Sequence, residues 1–517
     1  MRVIMAVQVV VLGDPLRWKI ANHFGKRGRM RSAHLDLPLV LDREDRTSLH
    51  LQLAAALRDA ASRGLIAPGS KLPSTRLLAE QLHLARSTVI AAYQQLDGEG
   101  YVQSRHGSGT YLSNDPIAAQ PISSSPSSTV ADNHLRCVPP DDHNVIDLRP
   151  GRPDTRRLAD PAWRRAWRAA VSDPPPDTEP PLQGLPLLRA EVARHLAVAR
   201  GLSADAAAVF VTAGTNDGLA LLVHALHLRG HRIGLENPGY PEAWRLFARL
   251  GCHTLPVPVD DSGLVVERLP EGSSAPRAVL VTPSHQYPLG GRLPLARRIA
   301  LLDWANRHQA TVIEDDYDSE FRFDVAPLPA LASLDRSVRV AHLGTFGKVL
   351  SPWLRIGYLV APAHLIPDLR AARADLGNPV SGVLQQALAN YLTSGALRRH
   401  IARSRRDYSH ARAHLTRRLA QVIPEARIRG IDAGLHAVLE LPHNIDADLI
   451  VRRARAADVL LDTLANYTAP TPDAPPPPPA IVLGYGGATL VQLDRAVLAI
   501  RSAMPSPSTS TTRPIMC

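Results

Sequence analysis

The sequence predicts a molecule in two folded parts. A small winged helix-turn-helix comes first, and a large α/β domain on a mostly parallel sheet follows, with a smaller α+β portion at its C-terminal end. Three observations predict this. Between Thr47 and Leu112, helix-length apolar stripes give way to two short β runs around a glycine-tipped turn. Between Ile146 and about Arg501, apolar runs of strand length alternate with stretches of helix length, the pattern of strands covered by helices on both faces. Residues 113–146, between the two, are rich in Ser, Pro, Ala and Asp, which is linker composition.

In the first part, Leu49, Leu53, Ala56, Leu57 and Ala60 line one face of a helix over Thr47–Arg63, and Gly64 ends it. Ala67-Pro68-Gly69 is a turn. Ser74 is placed to cap a second helix whose Leu78 and Leu82 face inward. A break at His83-Leu84 leads into a third helix from about Arg86 to Glu99, closed by Gly100. Tyr101–Ser104 and Thr110–Leu112 then form a hairpin about Arg105-His106-Gly107-Ser108-Gly109.

In the second part, the expected strands are Val209–Thr212, Arg232–Leu235, Ala278–Thr282, Ala310–Glu314 and Val338–Leu343. Helices are expected over Asp217–Leu228, Pro241–Leu250 and Leu295–His308. The smaller portion begins near Leu384 and carries strand-like Leu435–Leu441 and Ala480–Leu483, and Pro475–Pro479 reads as a loop. The resulting division is residues 1–38 as a disordered extension, 39–112 as the winged helix-turn-helix, 113–146 as a flexible linker, 147–503 as the large domain and 504–517 as a disordered tail.

The chemistry concentrates at the ends of the predicted strands, the edge where open α/β sheets bind ligands. Lys348 sits in Gly344-Thr345-Phe346-Gly347-Lys348, about thirty residues after Glu314-Asp315-Asp316-Tyr317-Asp318. A lysine on a turn among small and apolar residues, where burial makes its amine nucleophilic, and an acid on a strand are what pyridoxal phosphate needs. The amine forms an imine with the aldehyde, and the carboxylate keeps the pyridine nitrogen protonated. Strand alternation puts Asp315 and Tyr317 on one face and Asp316 on the other. Thr212-Ala213-Gly214-Thr215-Asn216 joins a strand to a helix start, an anion site for the phosphate, and Arg355 can hold the phosphate bidentately. Tyr240, after a tight turn, can stack on the ring.

Composition limits the alternatives. The 517 residues carry a net charge of +11, which suits a nucleic-acid partner. Leu41–Leu112, however, has 8 Lys+Arg against 7 Asp+Glu, so DNA affinity there must come from the placement of a few cations. Cys137, Cys252 and Cys517 show no paired spacing, which fits a reducing cytoplasm and no structural metal. No apolar run reaches the ~20 residues of a membrane span.

Taken in order, these segments resemble the GntR/MocR-type regulators, in which a winged helix-turn-helix is fused to a domain like fold-type-I aminotransferases. The resemblance runs from about Leu37 to Ile500. It is carried by Leu72–Arg76 through Tyr93, Gly107–Tyr111, Thr282–Pro288, Glu314–Phe321 and Gly344–Tyr358. It implies Lys348 as the imine lysine, Asp315 at the pyridine nitrogen, Tyr317 at the ring hydroxyl and Tyr240 stacked on the ring. Gly214, Thr215, Asn216, Thr345 and Arg355 would surround the phosphate, with His285 or Gln286 near the cofactor. For DNA it implies Arg86, Ser87 and Thr88 at base edges in the major groove, and Arg76, Arg105, His106 and Gly107 at the backbone or minor groove, with Lys71 a further candidate.

The sequence departs from the family at three places. Gly347 stands where a serine usually precedes the lysine, Ala85 where a serine caps the recognition helix, and Ala480–Tyr485 lacks the arginine that binds a substrate carboxylate. The expectation is therefore a cytoplasmic, homodimeric transcriptional regulator sensing pyridoxal phosphate or an amine effector, with at most residual transamination. The rival is a working aminotransferase with an autoregulatory DNA-binding domain.

Overall fold

A computed structural model describes residues 41–43, 45, 47–105, 108–113, 145–323, 329–470 and 476–505. They fall into two compact units, one before and one after the 114–144 segment. Most of the expected extension, linker and tail lies outside the described residues. Both ends of the expected linker belong to folded structure: Ser113 donates its N–H to the Tyr101 carbonyl, and Ile146 is paired in a strand.

The first unit is α1 (Leu49–Ser62), α2 (Thr75–Leu82), α3 (Arg86–Gly98) and a hairpin of β1 (Val102–Arg105) and β2 (Gly109–Leu112). Leu53, Leu57, Leu78, Val89, Tyr93 and Leu96 meet in one apolar core. The Ser74 hydroxyl accepts from the Leu77 N–H at 3.2 Å to cap α2, and left-handed His83 ends it. The Tyr93 phenol donates to the Pro73 carbonyl at 2.9 Å, tying α3 to the turn before α2.

The second unit runs β3 (Ile146–Asp147), α4 (Pro161–Ala170), α5 (Pro186–Arg200), β4 (Val209–Thr212), α6 (Thr215–Ala225), β5 (Arg232–Asn237), α7 (Pro241–Arg249), β6 (His253–Asp260), β7 (Gly263–Leu264), β8 (Ala278–Val281), α8 (Leu295–His308), β9 (Thr311–Asp316), β10 (Val340–Thr345), β11 (Gly357–Val360), α9 (Ile366–Leu376), α10 (Gly382–Thr393), α11 (Ala396–Val422), β12 (Arg427–Arg429), β13 (His436–Glu440), α12 (Ala447–Ala456), β14 (Val459–Leu460), β15 (Asp462–Thr463), β16 (Ala480–Gly484) and α13 (Leu490–Ala503). The large sheet has the order β4-β11-β10-β9-β8-β5-β6-β7, with β11 antiparallel to both neighbours and β7 antiparallel to β6. Successive side chains of β4 enter different cores: Phe210 packs with α6, α7 and α9, while Val209 and Val211 pack with α5, α10 and α11.

The smaller sheet, β12-β13-β16-β15, starts at Arg427 rather than near Leu384, because α10 and the 27-residue α11 come first. Beside it, β3 pairs in parallel with β14. A strand of two residues has no period to read, so the N-terminal contribution to this portion is not visible in the sequence.

Candidate cofactor site and nucleic-acid interface

The parallel ladder between β9 and β10 sets Leu343 opposite Asp315 and Gly344 opposite Asp316. The chain leaves β10 at Thr345 and turns through Gly347, whose N–H donates to the Thr345 hydroxyl at 3.0 Å. Lys348 follows on that turn. Its amine donates to the Gly151 carbonyl at 3.3 Å. Desolvation lowers its pKa, against an opposing pull from Glu242, Asp315 and Asp318.

Gly151 was not singled out from the sequence. It has φ +89°, and a Cβ there would lie 2.0 Å from the Lys348 amine, so only glycine leaves the amine its place. It lies in the loop after β3, which the Gly484 N–H anchors on the Leu148 carbonyl at 2.6 Å.

Asp315 is buried, and its Oδ1 has no hydrogen-bond partner among the described residues. Burial first, then the charge of Asp316, pushes its carboxyl up to about 7, with Lys348 and His342 pulling the other way. Asp316 faces away, as alternation predicts. Arg200 Nε meets its Oδ2 at 2.6 Å, and the Arg200 guanidinium also donates to the Ser284 hydroxyl at 2.7 Å. His342 joins Glu314 at 3.0 Å. Burial would raise the Glu314 carboxyl, but His342, Arg200 and the Ala332 N–H hold it down at about 2. These buried charges are paired, as burial requires.

Tyr317 donates to the His285 carbonyl at 3.0 Å and lies 3.0 Å from His285 Nδ1. His285 is further held by Asp318 at 2.9 Å and by the Gly430 carbonyl at 3.2 Å, bridging to the loop after β12. Burial works to lower its pKa, but Asp318 outweighs this and leaves it raised. Gln286, the other candidate here, is committed elsewhere, to the Pro238 and Tyr287 carbonyls at 2.9 and 2.7 Å.

The anion cradle follows β4. Gly214 has φ +84°, with Thr215 and Asn216 in the first turn of α6. Gly357 makes the cradle compact, since a Cβ there would sit 2.6 Å from the Gly344 carbonyl oxygen and 3.2 Å from Gly214 Cα. The Tyr240 phenol donates to Asn216 Oδ1 at 3.2 Å. Arg355 is exposed at φ +44°; its backbone N–H donates to the Pro352 carbonyl at 3.3 Å, and its guanidinium makes no hydrogen bond or ion pair among the described residues.

In the first unit, Arg86 and Ser87 are exposed at the start of α3 and Thr88 is half-buried. Ala85 is the N-cap and supplies no side-chain bond. Arg86 Nε reaches the Thr75 hydroxyl at 3.3 Å. Arg76 pairs with Glu80 at 3.3 Å along α2, an exposed pair that a phosphate can displace. On the wing, Arg105 and Lys71 lie 4.8 and 5.7 Å from the Tyr111 ring centre. Tyr111 was missed from the sequence, and the short hairpin offers no signal that it gathers two cations. His106 and Gly107 lie outside the described residues.

Residues 49–112 match the model of the bacterial regulatory proteins of the gntR family, and residues 143–473 match that of aminotransferase class I and II. The HTH-type pyridoxine biosynthesis transcriptional regulator PdxR of Corynebacterium glutamicum is 43% identical over 84% of this chain and 91% of its own length. The probable rhizopine catabolism regulatory protein MocR of Rhizobium meliloti is 32% identical over 92% of this chain and 98% of its own. The chain belongs to the GntR/MocR-type regulators. Among solved structures, Pyrococcus horikoshii kynurenine aminotransferase superposes with a TM-score of 0.63 over 70% of this chain and 91% of its own, at 24% identity, which establishes the fold.

The cofactor of such a domain is pyridoxal phosphate, and the residues present fit it. An unsatisfied buried carboxyl oxygen on Asp315 suits a protonated ring nitrogen, the desolvated Lys348 amine suits the aldehyde, and the α6 start with the unpaired Arg355 guanidinium suits the phosphate. Gly347 has no hydroxyl to offer a phosphate beside Lys348, a loss worth about 1 kcal/mol if a hydrogen bond is made there. No helix among the described residues is long and apolar enough to cross a membrane.

Proposed function

We propose that this regulator senses pyridoxal phosphate itself and converts occupancy of the Lys348 pocket into a change at its operator. The observation that carries the reading is the 43% identity to PdxR, a regulator named for pyridoxine biosynthesis. The pocket supports it. Among the described residues, Asp315 Oδ1 has no partner and is available to a pyridine nitrogen, the Lys348 amine is held only by the Gly151 carbonyl at 3.3 Å, and Ala480–Tyr485 holds no arginine for an effector carboxylate.

Bound pyridoxal phosphate supplies an aldehyde that condenses with primary amines and absorbs visible light. The protein's part is to place and hold it. Lys348 presents a desolvated amine, and Asp315 orients the ring through its nitrogen. Tyr317, fixed by His285, faces the phenolic oxygen, and Tyr240 covers the ring. Gly214, Thr215, Asn216, Thr345 and Arg355 hold the phosphate. In the first unit, Arg86, Ser87 and Thr88 read base edges, while Arg76, Arg105, His106 and Gly107 hold the backbone. The working form is a cytoplasmic homodimer on two half-sites, and the cofactor acts by binding one arrangement better than another.

The test is a visible absorption titration with pyridoxal phosphate on the parent and on Lys348→Ala, followed by operator binding with and without the cofactor. The expected result is a saturable band in the parent alone, and a cofactor-dependent change of DNA affinity that Lys348→Ala loses. An absent band, or an operator affinity indifferent to cofactor, overturns the reading.

A further inference from the structure

Away from the cofactor pocket, α5 and α11 flank a cleft of about 410 Å³, within the size range of small-molecule sites. Glu191, Arg194, His195 and Val198 recur at helical spacing along α5, and Leu397, Arg398, Ile401 and Arg405 do so along α11, so each set shares one face. Leu392 and Leu397 are buried and form an apolar floor. Val198 stands at its edge, 70% exposed.

The charges in this cleft do not balance internally. Glu191 is satisfied by Arg194 and by the Thr393 hydroxyl. Glu320 faces His195 at 3.5 Å, and Arg200 is taken by Asp316. Arg398 and Arg405, two turns apart on the same face, are exposed, and their guanidinium groups make no hydrogen bond or ion pair among the described residues. Two uncommitted guanidinium forks above an apolar floor match an anion with an apolar body.

We propose that this cleft is a second small-molecule site, taking an organic anion such as an aryl or branched-chain carboxylate. It is wired to the cofactor pocket through one side chain. Arg200 lines the cleft and holds Asp316 at 2.6 Å, and Asp316 adjoins Asp315 on β9. Ser319 and Glu320, also in the lining, continue the same chain beyond Tyr317. An occupant therefore alters the placement of Arg200, and with it the field at Asp315. Linkage makes the effect reciprocal.

The test uses the full chain and 8-anilino-1-naphthalenesulfonate, an apolar anion that fluoresces on leaving water. It should bind saturably at one site per chain. Arg398→Ala with Arg405→Ala should weaken it by at least about tenfold. Ala402→Trp, which fills the groove between the two arginines, should abolish it while the cofactor's visible band persists, showing an intact fold. Saturating the probe should shift the affinity for pyridoxal phosphate at least about twofold. Equal probe binding by the parent and both variants overturns the site. An unchanged cofactor affinity overturns the coupling. Probe binding that falls as protein concentration rises assigns the cleft to a second copy of the chain, and also overturns the proposal.

Discussion

Replacing Asp315 by Asn should raise the stability of the cofactor-free protein and weaken its hold on pyridoxal phosphate. The carboxyl is pushed from its ordinary 3.8 up to about 7, by burial first and by Asp316 second. A difference of about 3 pH units between folded and unfolded chain corresponds to about 4 kcal/mol. The sign follows from which state releases the proton first. Between about pH 4 and pH 7 the unfolded chain ionises while the folded one stays protonated, so folding is penalised progressively; above about pH 7 the penalty is constant, and below about pH 4 it is absent. Asn carries none of it. Cofactor-free Asp315→Asn should therefore melt above the parent at about pH 8, and the gap should narrow as pH falls toward about 5. The amide cannot make the charge-assisted bond to a protonated ring nitrogen, so affinity should drop by about 10- to 100-fold. Thermal melts without cofactor and an absorbance titration with it read the two effects. A variant that melts below the parent at about pH 8, or that binds the cofactor equally well, refutes the assignment of Asp315 as an acid held unsatisfied for the ring.

Gly151→Ala should lose cofactor binding by about tenfold or more, because its Cβ would lie 2.0 Å from the Lys348 amine at φ +89°; the visible band reports this, and operator binding without cofactor should persist. Arg200→Leu leaves Asp316 buried with only His342, at 3.9 Å, to face it, and should destabilise by about 3–5 kcal/mol in urea unfolding. Adding Asp316→Asn should recover part of that loss, as expected when the cost is an unpaired charge. Lys71→Ala and Arg105→Ala, removing the two cations beside Tyr111, should weaken binding alike on operator and unrelated DNA and lower the salt slope by about 1 each. Arg86→Ala should instead erode discrimination between them.

The parts of this molecule that were legible are those whose chemistry fixes a residue type at a strand end. Val209–Thr212 and Leu295–His308 have the bounds read from their periodicity, and Lys348, Asp315 and Tyr317 fall on adjoining β edges because their sequence segments end in small or polar residues. β6 is not among the expected strands, and its Pro256 and Pro258 run against strand propensity. It is tolerated because β7 pairs only with Val259 and Asp260, leaving the proline stretch laddered to β5 alone. α11 is not among the expected helices, and its long Arg-rich run buries only a thin apolar stripe that includes Leu397, Tyr408, Leu415 and Leu419.

Contacts between distant segments leave no local trace. Gly151 reaches Lys348 from 197 residues away. The ladder of Arg200, Asp316, His342 and Glu314 draws on α5, β9 and β10. Yet that ladder gives the adjacent acids different tasks. Alternation sends Asp316 to one side, where Arg200 pairs with it, and Asp315 to the other, where its Oδ1 has no hydrogen-bond partner among the described residues. Had both carboxylates faced one way, the arginine would satisfy the pair and no acid would remain for a ring nitrogen. The unsatisfied oxygen of Asp315 is thus a product of its neighbour's satisfaction, and Arg200, far from the cofactor in sequence and hidden beneath the sheet, is the residue on which that division depends.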